Sequence, residues 1–380
     1  MALGRWWNPF TRKGRPAPGS SGFADGAASV PAPSAPQRPA VPQRPVAPER
    51  RPATPLPAAA ASATSPAAPA AEPVEVVDEP LTPEQRIRFF RWIVGVPDIA
   101  GTSGLPDLVV QHLMERLDEV IASDTLRAAL LPRAPHVIPQ LMKTLRDEGY
   151  SSVDVASRIS KDVVLTAEVV RSATSAFQRA DDEGEIDLAR AVTMIGTQGL
   201  RRAIANVVLR PIFDAKGDTF SARGATQVWK DADRKARLCA AIAAPQVLDP
   251  FDGYLAGLLH NTGWTALLRA IDGFEDMHLN GAQLSHPDVV PMLLQRRDAL
   301  FGALVGPWNL SAAVDRLAAE VGAHGLEGVA SPLGRALRHA DRLAAMRALA
   351  PAGQGPAAGV PTWATLPKGV QDCYAGLAAH

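Results

Sequence analysis

The sequence predicts an all-α body carried behind a long arm rich in proline and alanine. Three observations lead there. From Leu81 to Leu349 apolar side chains recur at three- and four-residue spacing, the period of a helix with one buried face. No stretch alternates every second residue between hairpin turn signals, as exposed-face strands would. Composition also changes abruptly near residue 80, from Pro, Ala, Ser and Arg to a regular mixture of apolar and charged residues.

The chain has 380 residues, enough for one large or two modest domains, with 39 basic and 39 acidic side chains. A formal net charge of zero gives no global field that would demand nucleic acid as a partner. Charge is unevenly placed, since residues 1–52 hold eight basic residues against Asp25 and Glu49. The two cysteines, Cys239 and Cys373, form no metal-type pair, and Cys239 sits in an Ala-rich helical run as a small core residue. No apolar run reaches the roughly 20 residues needed to cross a bilayer, so stable membrane insertion is not expected. Trp6-Trp7 is followed at once by Asn8 and Pro9, which leaves no secretory h-region, and the chain reads as cytoplasmic.

Residues 1–15 set Trp6, Trp7 and Phe10 among Arg5, Arg12, Lys13 and Arg15. Pro9 interrupts any helix there, and one such patch would hold a membrane only marginally. The segment reads as a disordered tail with a few sticky side chains, or as a short motif that docks on a protein partner. Residues 16–80 form the arm. Half of the chain's 34 prolines lie between Pro9 and Pro80, and apolar residues larger than valine are nearly absent. Such a segment cannot bury enough surface to offset an ordering cost of about 1–2 kcal/mol per residue, and it is expected to be a disordered, extended linker.

Order is expected from Leu81. Thr82-Pro83-Glu84 is a helix start, followed by Ile87, Phe90 and Ile93 on one face. Leu108–Ile121 carries Leu113, Leu117 and Val120, and Asp124 is placed to cap a short helix ended by Pro132 and Pro135. Residues 81–130 are thus a helical cap or the first helices of the domain that follows. Helices are then expected at Pro139–Arg146, from Ser152 to Asp162, at Leu165–Ser175, at Asp187–Ile195 closed by Gly196, and at Leu200–Phe213. Further helices follow at Ala225–Ala244, Gly253–Leu268, Pro287–Ala303, Ala312–Val321 and Ser331–Leu349. Residues 350–380 read as a flexible tail with one short helix near Lys368–Leu377. Within the Gly253–Leu268 stretch, Leu255, Leu258 and Leu259 make a buried face that runs into His260-Asn261, with Gly263 relaxing the backbone beyond.

Specific residues join this helix order. Ile159, Asp162, Leu165, Thr166, Ala167, Ser175 and Ala176 fall in one pattern, and Ile186, Ala191, Ile195, Gly196, Leu200 and Arg201 in a second. With Trp229 and the run GLLHNTG, these motifs resemble the HDOD family, a signalling output domain related to HD-domain metal phosphohydrolases. The likeness covers about residues 130–345, with Val163 in place of the usual Pro and Thr174 in place of the usual Asn. It implies an HD-like helical bundle over residues 131–349. It also suggests fold-keeping roles: Asp162 as a helix cap, Gly196 as a positive-φ residue at a helix end, and Ser175 as a tie between helices.

An active HD-type hydrolase holds two divalent ions with a first His, a His-Asp pair, further His residues and a late Asp; the pair's Asp bridges the ions. By resemblance, Asp231 falls where the first His is expected, His260 matches the pair's His, Asn261 replaces its Asp, and Asp341 stands near the final Asp, with His324 near a downstream His. A neutral amide is a feeble bridge between two cations, so the site reads as vestigial, with no catalytic residue, no metal and no cofactor. Residual binding of one metal by Asp231, His260 and Asp341 is the lesser reading. The plain structural readings are His260 as a helix-end residue bonded to a backbone carbonyl or Asp231, Asn261 as a helix C-cap, and Asp341 as a surface charge paired with Arg338 or Arg342. The basic clusters Arg201-Arg202-Arg210, Arg234-Lys235-Arg237 and Arg296-Arg297 read as solvated helix faces.

The expectation is therefore a non-catalytic signal-transduction module that works through protein–protein contact and is not an enzyme. The contact would use helical grooves around the former metal cleft, with Trp6, Trp7 and Phe10 as a tethered second contact. The alternatives are a metal-dependent phosphohydrolase acting on a nucleotide or cyclic dinucleotide, and a regulator that binds a nucleotide or nucleic acid. The oligomeric state is left open.

Overall fold

The structure is a computed structural model that describes residues 79–97, 104–134, 137–138, 163–177, 188–246, 248–350, 360 and 363–377, with backbone alone at 163, 174–177 and 189. The basic-aromatic segment with Trp6, Trp7 and Phe10, the linker to residue 78, the helices expected at Pro139–Arg146 and before Asp162, and the side chain of Ser175 lie outside the described residues.

The described residues contain helices and no strand. Helix α1, Pro83–Val94, opens as the residue types dictate. Thr82 Oγ1 accepts the Gln85 amide at 3.2 Å, Gln85 Oε1 accepts the Thr82 amide at 2.9 Å, and Pro83 takes the first turn. Helix α2 is Asp107–Ala122 and α3 is Asp124–Leu130. Ser123, rather than Asp124, caps α3, its hydroxyl accepting the Leu126 amide at 3.3 Å. Helices α4, Val163–Phe177, and α5, Leu188–Phe213, share a small core of Val169, Ala173, Ala191, Val192 and Ala203. Gly196 kinks α5 with φ 61°, the left-handed backbone expected of a glycine there.

Helix α6, Phe220–Ala243, is the axis of the bundle. It packs against α7 (Pro250–His260), α8 (Thr262–Asp272), α12 (Pro332–Leu349), α1 and the C-terminal α13 (Lys368–Ala375). It begins five residues before the expected Ala225, because two sets of acceptors hold its first turn. Thr219 Oγ1 takes the Ala222 amide, and the Asp272 carboxylate takes the amides of Phe220 at 2.7 Å and Ser221 at 3.1 Å. Three further helices complete the body: α9 (Gly281–Leu284), α10 (Val289–Val305) and α11 (Ala312–His324).

Apart from α4, whose buried side chains belong to the small core it shares with α5, one apolar core joins the main body. Phe90, Ile93, Leu113 and Leu117 from α1 and α2 lie in it with Trp264, Phe301 and Leu337, so residues 83–122 pack into the main body. Within the segment read as a flexible tail, the short helix expected near Lys368–Leu377 is α13, and it is packed down. Val370 and Tyr374 of α13 are fully buried in that core, and Arg347 of α12 grips the Leu377 carbonyl through Nε at 2.9 Å and a terminal nitrogen at 2.6 Å. Cys239 is a core residue, its thiol pushed up to about 12 by burial and hence inert.

The stretch expected as one helix from Gly253 to Leu268 is two, α7 and α8, meeting at Asn261 with φ −74° and ψ −5°. Thr262 Oγ1 bonds back to the Leu259 carbonyl at 2.7 Å and Thr265 Oγ1 to that of Asn261 at 3.3 Å, which holds the corner. Gly263 does not relax the backbone. It lies inside α8 where a Cβ would stand 2.4 Å from the Arg297 carbonyl of α10. Gly257 does the same on the other side of the corner, where a Cβ would lie 2.6 Å from the Ala236 backbone of α6. The two glycines let α6 and α10 close on His260-Asn261 from either side.

Backbone cannot rotate out of the way as a side chain can, so Gly257→Ala forces α6 and α7 apart. We expect a loss of about 1–3 kcal/mol in urea unfolding. Gly369→Ala, at an open position in α13 with no atom near the added methyl, should be neutral or slightly stabilising in the same measurement.

Candidate functional site

The α7–α8 corner delivers His260 and Asn261 into the middle of the bundle, where both are fully buried. Helix α6 brings Asp231 and Lys235, four residues apart on the stripe that includes Val228, Ala232, Cys239 and Ile242 and therefore also buried. Helix α12 brings Asp341 and α10 brings Arg297-Asp298. All four residues singled out from the sequence, Asp231, His260, Asn261 and Asp341, meet around one atom, the Lys235 ammonium nitrogen.

That nitrogen lies 2.5 Å from Asp341 Oδ1, 2.5 Å from Asn261 Oδ1, 3.2 Å from His260 Nδ1 and 3.3 Å from Asp231 Oδ2. An ammonium has three protons, and this one donates to Asn261 Oδ1 and His260 Nδ1, while Asp341 and Asp231 pair with it as close ions. Its donation to Nδ1 leaves the His260 proton on Nε2, which donates to Asp298 Oδ1 at 3.1 Å. Asp298 is fully engaged. The same oxygen accepts from Arg297 Nε at 2.8 Å, and Oδ2 accepts the Leu326 amide at 2.7 Å. The Arg297 guanidinium also faces Asp341 Oδ2 at 3.7 Å and lies over the Trp264 ring, 5.2 Å from its centroid.

Asn261 fits this place as an amide. Its Nδ2 donates to the Val228 carbonyl at 2.9 Å and to Asp231 Oδ2 at 2.8 Å, while its oxygen accepts from Lys235. An aspartate has no protons to give those two acceptors and would set a second carboxylate against Asp231. Asn261 is the residue at which α7 ends, as expected, yet its side chain serves the cluster and not the helix end.

Several expectations are corrected here. His260 bonds Lys235 and Asp298, not a backbone carbonyl or Asp231. Asp341 pairs with Lys235 and Arg297, not Arg338 or Arg342, because it faces inward from α12. Lys235 and Arg297 are buried and not part of solvated faces, while Arg237 pairs with Asp233 and Arg296 with Asp118. Arg201, Arg202 and Arg210 stack on Phe251, Tyr254 and Trp229, at 4.9, 5.8 and 5.6 Å from the ring centroids. His324 is exposed at the end of α11, outside the cluster. Lys235, Arg297 and Asp298 escaped the sequence reading. The spacing that puts Lys235 in register with Val228, Cys239 and Ile242 could have found the first of them.

A divalent ion does not fit the cluster as arranged. Among the described residues no three His, Cys, Asp or Glu side chains are disposed to share an ion. The point where the acceptors converge holds an ammonium. Two of its contacts, at 3.2 and 3.3 Å, far exceed the roughly 2.0–2.2 Å of a transition-metal bond.

Comparison with known proteins adds the following. The HDOD domain family matches residues 131–322. Among solved structures, an HDOD domain protein of unknown function from Geobacter sulfurreducens is 21% identical, with a TM-score of 0.44 over 67% of this chain and 88% of that one. A Shewanella amazonensis protein with the provisional name metal-dependent phosphohydrolase is 16% identical, with a TM-score of 0.48 over 71% and 96% of the two chains. A provisionally named signal transduction protein from Marinobacter aquaeolei is 17% identical, with a TM-score of 0.39 over 71% and 56%. No curated protein matches. Among the described residues, no helix is long and apolar enough to cross a membrane.

The cluster sets a pH dependence. Burial, then the charges of Lys235 and Arg297, push His260 down to about 4 from 6.5, so it is neutral at pH 7. Burial alone would raise Asp341 and Asp298. Lys235 and Arg297 outweigh it for Asp341, as Arg297 and His260 do for Asp298, and both end below the ordinary carboxylate range. The unfolded chain therefore takes up the His260 proton first as the medium is acidified. Unfolding free energy should fall by on the order of 3 kcal/mol as pH drops from about 6.5 to about 4. The two carboxylates, whose contribution is present above their unfolded pKa, should steepen the loss below that. Urea titrations from pH 8 to 4 measure it, and His260→Gln should flatten the upper part of the slope.

Proposed function

The chain belongs to the HDOD domain family, and from that premise we propose that it is a non-catalytic regulatory module of a bacterial signalling pathway that acts by binding a protein partner. The supporting observation is the Lys235 ammonium at the convergence of Asp231, His260, Asn261 and Asp341. In a hydrolase of the related kind, metal ions at such a point would activate water and bear the developing charge on phosphate. Here the same side chains are committed to one another. Asp298 has both oxygens bonded, His260 both nitrogens, and Asn261 both ends of its amide. What the module offers a partner is the shape of its helical surface.

The nucleic-acid reading loses its support, because Arg201, Arg202 and Arg210 lie against aromatic rings of α6 and α7 instead of forming an open basic stripe. The segment with Trp6, Trp7 and Phe10 would supply a second contact on a long tether, raising avidity without any change in the body.

The purified full-length chain, assayed with manganese or magnesium against nucleotides and cyclic dinucleotides, should give no turnover above that of His260→Ala. Metal-dependent turnover that a folded His260→Ala chain loses would contradict the proposal. Restoring the family acid alone should not help. Asn261→Asp is expected to stay inactive and to lose several kcal/mol in urea unfolding, since it sets two buried carboxylates together and leaves the Val228 carbonyl without its donor.

A further inference from the structure

The cluster has the make-up of a cation site with an unusual occupant. Its acceptors come from three directions, Asp231 on α6, the His260-Asn261 corner and Asp341 on α12, and they converge on a single point. It is also rich in acceptors. Three carboxylates, Asp231, Asp298 and Asp341, stand around the ammonium and the Arg297 guanidinium, with His260 neutral and Arg234 also acting on Asp231. Asp231 Oδ1 is buried and has no hydrogen-bond partner among the described residues, so acceptor capacity is left over. The Lys235 side chain is wholly enclosed, while Asp341 keeps a small exposed edge.

Distance and direction decide what kind of cation suits the point. Contacts of 2.5–3.3 Å match hydrogen bonds and close ion pairs, and the longer ones are beyond any small divalent ion's bond of about 2.0–2.6 Å. His260 Nδ1 and Asn261 Oδ1 also need donors aimed at them, which a primary ammonium supplies and a bare ion does not.

We infer that Lys235 is a tethered ion: the cluster is a binding site for one singly charged primary ammonium, and the chain supplies that ammonium from its own α6. The fold keeps a buried cation as a structural necessity and no longer depends on metal for it. The inference rests on the non-catalytic reading, but the two can fail separately. Turnover by the wild-type chain would sink that reading, whereas the behaviour of Lys235 variants bears on this one alone.

Lys235→Ala removes three methylenes and the ammonium, the outline of n-propylammonium, and Lys235→Met removes the charge while filling the channel. Lys235→Met in the full chain should melt about 10 °C below wild type, as expected when one partner of a buried ion cluster is lost. Refolding Lys235→Ala with millimolar n-propylammonium should raise its melting temperature by several degrees. The same salt should leave wild type and Lys235→Met unchanged, and tetramethylammonium, which has no N–H, should rescue neither. The double variant K235M/D341N should recover much of the loss by removing the stranded carboxylate, a comparison that holds even where Lys235→Ala does not fold. The inference is overturned by a Lys235→Met chain as stable as wild type, by a double variant no better than the single one, by equal propylammonium effects on Lys235→Ala and Lys235→Met, or by manganese stabilising Lys235→Ala more than propylammonium does.

Discussion

One ammonium group holds the centre of this bundle. Lys235 is where α6, the α7–α8 corner and α12 meet, and each offers its ammonium a buried oxygen or nitrogen. Burying a charge is costly, and burying several is tolerable only when geometry and hydrogen bonding are nearly complete. That condition explains the detail around it. Asn261 is an amide because it must give two protons as well as accept one. His260 is neutral and fixed in one tautomer because an ammonium stands at Nδ1 and a carboxylate at Nε2. Asp298 is held by Arg297, His260 and the Leu326 amide together.

The backbone is shaped to bring these groups within reach. Gly257 admits α6 against α7, and Gly263 admits α10 against α8. With a methyl at either position, one flank of the corner would stand off and the side chains it carries would fall short of His260 or Asn261. Burial around the site is continuous with the main core, since Trp264 lies under Arg297 and Phe301 meets the His260 ring edge-on at 5.1 Å. Packing and electrostatics therefore depend on the same two close helix contacts.

Much of this was legible in the residues. The helix start at Thr82-Pro83 carries its own signal, and it appears with the capping hydroxyl bonded as expected. The three- and four-residue spacing of Leu113, Leu117 and Val120 marks a buried face that is indeed buried. Gly196 has the positive φ that the resemblance implied. The four cluster positions were also found, by resemblance. What escaped was tertiary. The register of Lys235 with Val228, Cys239 and Ile242 is the one local hint, and nothing local says that Arg297 turns inward, because a basic residue on a helix is usually solvated and it is the facing acids that make burial affordable. Likewise the start of α6 at Phe220 depends on Asp272, fifty-two residues away, and the order of α13 depends on Arg347 reaching the Leu377 carbonyl.

A crystal structure of the wild-type chain grown in manganese, with anomalous data collected at the manganese edge, tests the central claim most directly. The account predicts the Lys235 ammonium hydrogen-bonded to Asn261 and His260 and ion-paired with Asp341, and no anomalous peak beside it. A manganese ion bound to His260 and Asp341, with the lysine turned away, would contradict it.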